Sequence, residues 1–206
     1  MPFTPTFPSL PAQADRLISL GLATAELHTA VAVLPDRPGL LALPPAAAPA
    51  SRLAPLVAHP GLPGFVVEDM TDVDEFAPRA DLDVPAAPAY LLEDVRRGDD
   101  LANWSPDEAL PALHAADRTP LLLTEGLLWL LQQPEALERG RCFMTIGSRR
   151  PKPDGRSLDA RTPAIWISNG TGRDGRSRRD APKVGWCWAG NRHTWLGFAS
   201  AAHRTT

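Results

Sequence analysis

One short helix with a broad apolar face of leucines is predicted by Thr124-Glu125-Gly126-Leu127-Leu128-Trp129-Leu130-Leu131-Gln132-Gln133-Pro134. Thr124 and Glu125 open this helix, and it ends before Pro134 because proline cannot continue an α-helix. An apolar helix face has to be buried against another layer of structure. We therefore expect this helix to cover a β-sheet.

A second helix is predicted by Ser105-Pro106-Asp107-Glu108. Ser105 fits the N-cap position and Pro106 fits the first helical turn. Glu108 can reach back to complete a capping box with Ser105. This helix should run to about Ala116 and cover the same sheet.

The sheet itself is predicted from short apolar runs. Phe65–Met70 and Tyr90–Val95 share an aromatic residue, two aliphatic residues, Glu-Asp and a last aliphatic residue, which is typical of a buried strand that emerges into an acidic loop. Beyond Gly140 the sequence favours strands. The candidates are Cys142–Ile146, Ala164–Ile167, Val184–Trp188 and Thr194–Phe198, the last two joined by Ala189–His193 as a β-hairpin.

These elements predict an α+β fold, in which a mixed β-sheet is covered by short helices and includes a tryptophan-rich C-terminal β-hairpin. The 23 prolines favour many short elements over long helices. We expect residues 1–60 to form a helical, proline-rich segment packed on the core. Residues 61–206 should form the main α+β domain, and the whole chain one compact unit.

Composition excludes several classes of protein. No stretch approaches the length of a membrane span, and Met1-Pro2-Phe3-Thr4-Pro5 lacks the basic start and apolar run of a secretory signal. Cys142 and Cys187 are too few for a disulfide scaffold, so a reducing cytoplasm is the expected location.

The net charge of −3 conceals two opposed parts of the chain. Residues 140–206 hold 13 Lys/Arg against 4 Asp/Glu, a formal charge of +9, whereas the other residues sum to −12. The acidity is concentrated between Glu68 and Glu108. Such asymmetry indicates a basic face for an anionic partner, packing of the two parts against each other, or solvated loops that differ by chance.

Four of the six tryptophans lie in the last 41 residues. On a strand, Trp186 and Trp188 project to one face and Cys187 to the other, and a hairpin partner would add Trp195. Indoles beside arginines can stack a planar anion, whereas indoles in the core would only fill space. The predicted ligand-binding residues are Arg149, Trp166, Trp186, Trp188, Asn191, Arg192, His193 and Trp195.

Three other kinds of site are weaker alternatives. Cys187 and His193 could act as nucleophile and base if both side chains share a face. Together with Cys142 they could hold zinc, but no Cys-x-x-Cys pair is present, and we predict no metal site. The acidic loops Asp69–Glu75 and Asp94–Asp100 could hold magnesium, although solvated loop ends explain them more simply.

The chain resembles an actinobacterial family of uncharacterised proteins, a domain of unknown function. The resemblance is carried mainly by Gly185-Trp186-Cys187-Trp188-Ala189-Gly190-Asn191-Arg192-His193-Thr194-Trp195-Leu196-Gly197, and also by Asn103–Leu110, Cys142-Phe143 with Gly147–Arg149, and Ala164–Ser168. It covers roughly residues 60–200. The resemblance implies origin and a shared fold, and it assigns no catalytic residue.

The first expectation for function is a cytoplasmic protein that binds a planar or anionic small molecule at the Trp/Arg surface. The alternatives are an enzyme of actinobacterial specialised metabolism, using Cys187, His193 or an Asp/Glu cluster, and a protein-interaction module. We predict no cofactor and no membrane partner. The negative net charge argues against nucleic acid, and the sequence leaves a homo-oligomer open.

Overall fold

The computed structural model describes residues 3–206. The helices in this range are α1 (Leu10–Ser19), α2 (Leu27–Val31), α3 (Ala50–Leu53), α4 (Pro106–Ala115) and α5 (Leu123–Gln132). Among the described residues, no helix is long and apolar enough to cross a membrane.

The strands are short. They are β1 (Gly39–Ala42), β2 (Phe65–Val66), β3 (Ala77–Pro78), β4 (Tyr90–Glu93), β5 (Thr119–Pro120), β6 (Cys142–Met144), β7 (Ser148–Arg149), β8 (Arg161–Ile167), β9 (Pro182–Trp188), β10 (Leu196–Phe198), β11 (Ser200–Ala201) and β12 (His203–Thr205).

The main sheet is mixed and has the strand order β10-β6-β8-β9-β2. β6, β8 and β9 are antiparallel neighbours, whereas β10 runs parallel to β6 and β2 runs parallel to β9. A second sheet, β1-β4-β12, is antiparallel, and β11-β5 and β3-β7 form two-stranded ribbons. The predicted α+β fold with a mixed sheet and short helices is confirmed.

Helix α5 lies between the two larger sheets, since it contacts β1 of the second sheet and β8 of the main sheet. Every residue from Leu123 to Leu131 is buried. Gly126 permits a close approach to the main sheet, because a Cβ at this position would lie 2.7 Å from Cγ2 of Thr145 and 3.1 Å from the ring of Phe143. The expectation that this helix covers a sheet is therefore confirmed.

The predicted C-terminal hairpin is wrong. Both edges of β9 are already occupied, by β8 and β2, so no edge is left for β10. β10 instead pairs with β6, with Leu196 beside Cys142. Tyr90–Glu93 also departs from the prediction, because it pairs with β1 and β12 in the second sheet and not with the C-terminal strands of the main one.

The predicted capping box of α4 is confirmed. The Ser105 hydroxyl accepts a hydrogen bond from the backbone N–H of Glu108 at 3.3 Å, and the Glu108 carboxylate accepts one from the backbone N–H of Ser105 at 2.9 Å. Two otherwise unpaired backbone donors are thus satisfied at the start of the helix.

Residues 3–60 pack through a buried glutamine as well as through β1. The amide of Gln13, on α1, donates to the carbonyl of Gly39 at 2.8 Å and accepts from the N–H of Leu41 at 2.9 Å. This side chain therefore ties α1 to the edge strand of the second sheet. The division of the chain at residue 60 stays a prediction.

A fully buried ion pair joins α5 to the second sheet. The Glu125 carboxylate accepts hydrogen bonds from Nε of Arg204 at 2.7 Å, from the Tyr90 hydroxyl at 2.9 Å and from the backbone N–H of Leu122 at 2.7 Å. The Glu125 and Arg204 side chains are 0% and 2% exposed. Burial and the adjacent Glu125 charge raise the pKa of Tyr90, so its hydroxyl stays a donor.

Arg204→Met should lower the free energy of unfolding by about 3–5 kcal/mol, because it leaves the Glu125 charge buried without its partner. Urea unfolding followed by circular dichroism measures the change. The double variant Glu125→Gln/Arg204→Met should recover part of the loss. Arg37→Met removes an exposed arginine paired with Glu93 and is the matched control, with a change within about 0.5 kcal/mol. Equal losses of unfolding free energy for Arg204→Met and Arg37→Met would contradict the conclusion that the buried Glu125–Arg204 ion pair needs both partners.

Candidate functional site

The pleat of the main sheet divides the predicted site residues between two faces. The α5 face carries Ile165 and its cross-strand neighbour Val184, and Trp186 and Trp188 follow Val184 on this face. The opposite face, which we call the far face, carries Cys187 beside Thr162 and Trp166 beside Lys183. The expected separation of Cys187 from its two flanking tryptophans therefore follows from the register.

On the α5 face, Trp186 and Trp188 contact each other edge to face, with ring centroids 4.7 Å apart. The guanidinium of Arg161 lies 5.9 Å from the Trp186 ring and 5.4 Å from that of Phe76. Trp188 is 48% exposed. This arrangement puts an exposed indole close to a largely buried cation.

Arg161 is nevertheless neutralised by its own chain. It donates to Asp72 at 2.6 and 3.1 Å and to Asp159 at 2.7 and 3.1 Å. Hydrogen bonds from Arg161 lower the pKa of both carboxyl groups. The α5-face tryptophans are therefore not beside a free cation that could attract an anionic ligand.

A second set of aromatic rings involves Trp166, Trp195 and His193. The Trp166 and Trp195 centroids are 6.1 Å apart, and the His193 ring lies 5.4 Å from that of Trp195. Among the described residues no ring contact joins this set to Trp186 and Trp188. The expectation of Trp195 beside these two is wrong, because it depended on the hairpin.

The acidic and basic parts of the chain pair with each other. In the described part of the chain, six ion pairs connect carboxylates of residues 68–108 with arginines of residues 149–192. They are Arg150–Asp72, Arg150–Glu75, Arg161–Asp72, Arg173–Asp69, Arg178–Glu68 and Arg192–Glu108. Packing of the two parts therefore accounts for much of the charge asymmetry.

The other predicted binding residues do not share one surface. Arg192 is exposed and paired with Glu108 on α4, and Asn191 is exposed in the loop before it. Arg149 is buried and donates from Nη2 to the backbone carbonyl of Asp159 at 2.7 Å. The single Trp/Arg surface of the prediction is thus divided among separate places.

Trp195 lines a cavity of about 550 Å³. The other lining residues are Asp99, Asp100, Ala102, Gly140, Arg141, Thr194 and Gly197. Such a volume lies within the range of small-ligand sites. The cavity offers an indole ring, a hydroxyl and charges of both signs to one small molecule.

Two charged groups at this cavity are available to bind a ligand. Arg141 and Asp100 are both exposed, and neither forms an ion pair with any residue of the described range. Asp99 differs, because the guanidinium of Arg97 binds it through two hydrogen bonds of 2.7 Å. A ligand in this cavity could therefore contact one unpaired cation and one unpaired carboxylate beside the Trp195 ring.

Cys187 and His193 do not form a catalytic pair in this arrangement. No hydrogen bond joins them among the described residues, and burial raises the pKa of the Cys187 thiol to about 11. Burial also lowers the pKa of His193, whose Nε2 is buried without a hydrogen-bond partner. A neutral thiol is a weak nucleophile, so the geometry gives the enzyme alternative no support.

The proposed metal-binding alternatives gain no support either. Within residues 3–206, no group of three His, Cys, Asp or Glu side chains is arranged to hold a metal ion. The Cys142 thiol donates to the carbonyl of Glu138 at 3.3 Å. In the acidic loops, Asp72 and Asp94 each bind two arginines, and Asp74 accepts from the backbone N–H of Ser51 at 2.9 Å.

Sequence reasoning missed most of the residues around Trp195. Arg141, Thr194 and Asp100 lie in three loops that only the β6–β10 pairing and the adjacent turn at Asp99–Leu101 bring together. The available sequence signal was Gly140, because glycine favours tight turns and would place Arg141 at the surface, and its φ of +78° in the structure agrees with such a turn.

This α+β chain with an aromatic cavity belongs to the DUF5701 family, a family of unknown function, whose model matches residues 10–206. The predicted membership of an uncharacterised family is thus confirmed, whereas the actinobacterial origin stays a prediction. No curated protein and no solved structure matches the chain.

The pH dependence of the alkylation rate at Cys187 should reflect the raised pKa of its thiol. With a pKa of about 11, the thiol is protonated at neutral pH, so the rate with iodoacetamide should rise about tenfold per pH unit from pH 7 to beyond pH 9. Mass spectrometry of Cys142→Ser protein measures the rate at Cys187 alone. Cys187→Ser, which keeps only the buried Cys142, is the control and should react more slowly. A rate that levels off near pH 9 would contradict the raised pKa, and one that levels off below about pH 7.5 would show an activated thiolate and restore the nucleophile hypothesis.

Proposed function

We propose that this protein binds a small planar molecule with an anionic group in the cavity at Trp195. The observation that carries the proposal is the position of Trp195, whose half-buried ring lines the cavity while its neighbours Trp166 and His193 hold it from the protein side. An indole held in this way offers a stacking surface with little conformational freedom to lose on binding.

Two groups at the cavity can bind the anionic group of the ligand. Arg141 can pair with a carboxylate or phosphoryl oxygen, and Thr194 adds a hydroxyl beside the same ring. Asp100 repels an anion, so removal of its charge should strengthen the binding of an anionic ligand. The ion-paired arginines elsewhere also argue against nucleic acid, because phosphate neutralisation requires free cations.

The proposal includes a cytoplasmic location and a non-enzymatic role. Both cysteines are free thiols, which fits a reducing compartment. The residues that line the cavity include no cysteine, histidine or lysine. A bound cofactor is not part of the proposal.

Charge variants at the cavity should have opposite effects on an anionic probe. Arg141→Gln should weaken the binding of indole-3-carboxylate about two- to fivefold, because an exposed ion pair contributes up to about 1 kcal/mol. Asp100→Asn should strengthen it, because a repulsive carboxylate is removed. Neither change should alter the binding of the neutral indole-3-carboxamide. Isothermal titration calorimetry measures all of these affinities.

Two tryptophan variants separate this cavity from the α5 face. Trp195→Leu should abolish binding of both probes, whereas Trp188→Leu, which removes a more exposed indole on the α5 face, should leave it unchanged. If Trp188→Leu abolishes binding, or if Arg141→Gln strengthens the carboxylate probe, the proposal is wrong.

A further inference from the structure

Arg149 is a buried cation without a counter-ion. It lies on β7 and is 9% exposed. Its one hydrogen bond runs from Nη2 to a backbone carbonyl, that of Asp159, and its Nε is buried with no partner. Among residues 3–206, no carboxylate lies within ion-pair distance of this guanidinium.

The other deeply buried arginines are compensated. Arg97, 1% exposed, binds Asp99 and Glu138, and Arg204, 2% exposed, binds Glu125. Burial of a charge costs several kcal/mol unless an opposite charge and hydrogen bonds offset it. Arg149 therefore departs from the rule that this fold follows elsewhere.

The surroundings of Arg149 increase this cost. In the β3-β7 ribbon Ala77 pairs with Arg149, and the N–H of Arg79 donates to the carbonyl of Gly147 at 3.0 Å, so a second arginine lies close by. Burial first, and the Arg79 charge second, lower the pKa of Arg149, and the more distant carboxylates of Asp107 and Asp159 offset this only in part. Asp81 binds the Arg79 guanidinium through two hydrogen bonds of 2.9 Å and is therefore not free to compensate Arg149.

We propose that Arg149 is the receptor for a small oxyanion, of the phosphate, sulfate or carboxylate type. Nη1 has no protein partner and, unlike Nε, is not shut off from solvent, so it can donate to such an anion. Arg149 is not among the residues that line the Trp195 cavity, so this site is separate from the proposed small-molecule site.

Thermal unfolding with inorganic phosphate tests the site directly. At about ten times its Kd, phosphate should raise the Tm of the unmodified protein by about 3–6 °C over sodium chloride of equal ionic strength, and the rise should saturate. In Arg149→Met the saturable rise should disappear. The Tm of this variant in chloride should equal or exceed that of the unmodified protein, because an uncompensated charge is removed. Arg192→Met, which removes an exposed arginine paired with Glu108, is the control and should keep the full response.

Phosphorus NMR of the unmodified protein provides a second measurement should Arg149→Met fail to fold. The phosphate line should broaden on addition of protein and recover its width when sulfate competes. Arg149→Lys keeps the charge but loses the planar fork, and should weaken phosphate binding at least threefold. The proposed anion site would be wrong if phosphate gives no saturable rise in the Tm of the unmodified protein, or if Arg149→Met keeps the full rise. Trp195→Leu should leave the phosphate response intact, so failure of this site and failure of the Trp195 cavity are distinguishable.

Discussion

A carboxylate that is removed from water is tolerated only when donors surround it, and Glu125 obtains its donors from three different parts of the fold. Tyr90 comes from β4, Arg204 from β12, and the N–H of Leu122 from the start of α5. The carboxylate therefore fixes the C-terminal strand, the second sheet and the helix between the sheets relative to one another. Gly126, the next residue, lets α5 lie close enough to the main sheet for these contacts to coexist with a packed core.

The same requirement explains where the charges of this chain lie. The buried guanidinium groups of Arg97 and Arg204 have carboxylate partners, and the acidic and basic parts of the sequence meet in ion pairs such as Arg161–Asp72. Exposed pairs of this kind add little stability, but they leave few cations free for a ligand. Arg141 at the Trp195 cavity and the buried Arg149 are therefore the arginines on which the two binding proposals depend.

Local patterns predicted local structure well. The capping box at Ser105 and the apolar run after Glu125 predicted α4 and α5 from neighbouring residues. Distant groups complete both helix starts, since the Ala189 carbonyl accepts from the N–H of Asp107 and the Ser148 hydroxyl accepts from the N–H of Leu123. Strand pairing could not be predicted in the same way, since β10 and β6 are about fifty residues apart and pair in parallel, which no turn sequence encodes. Trp195 was recognised as a candidate, and Asp100 was considered only as part of a magnesium loop. Arg141 was not recognised, and the proximity of both residues to Trp195 was not predicted, because it depends on long-range pairing. The sequence offered packing of the acidic part against the basic part as one of three explanations for the charge asymmetry. It did not distinguish that explanation from the other two.

The central claim is that Trp195, and not the pair on the α5 face, meets the ligand. The indole N–H resonances of the six tryptophans test this claim in one spectrum, with assignments from single Trp→Phe variants. On titration with indole-3-carboxylate, the Trp195 signal should shift most and the Trp166 signal less, while the signals of the buried Trp129 and of Trp186 and Trp188 stay in place. Shifts confined to Trp186 and Trp188, or no shift in any indole signal at saturating probe, would contradict the account.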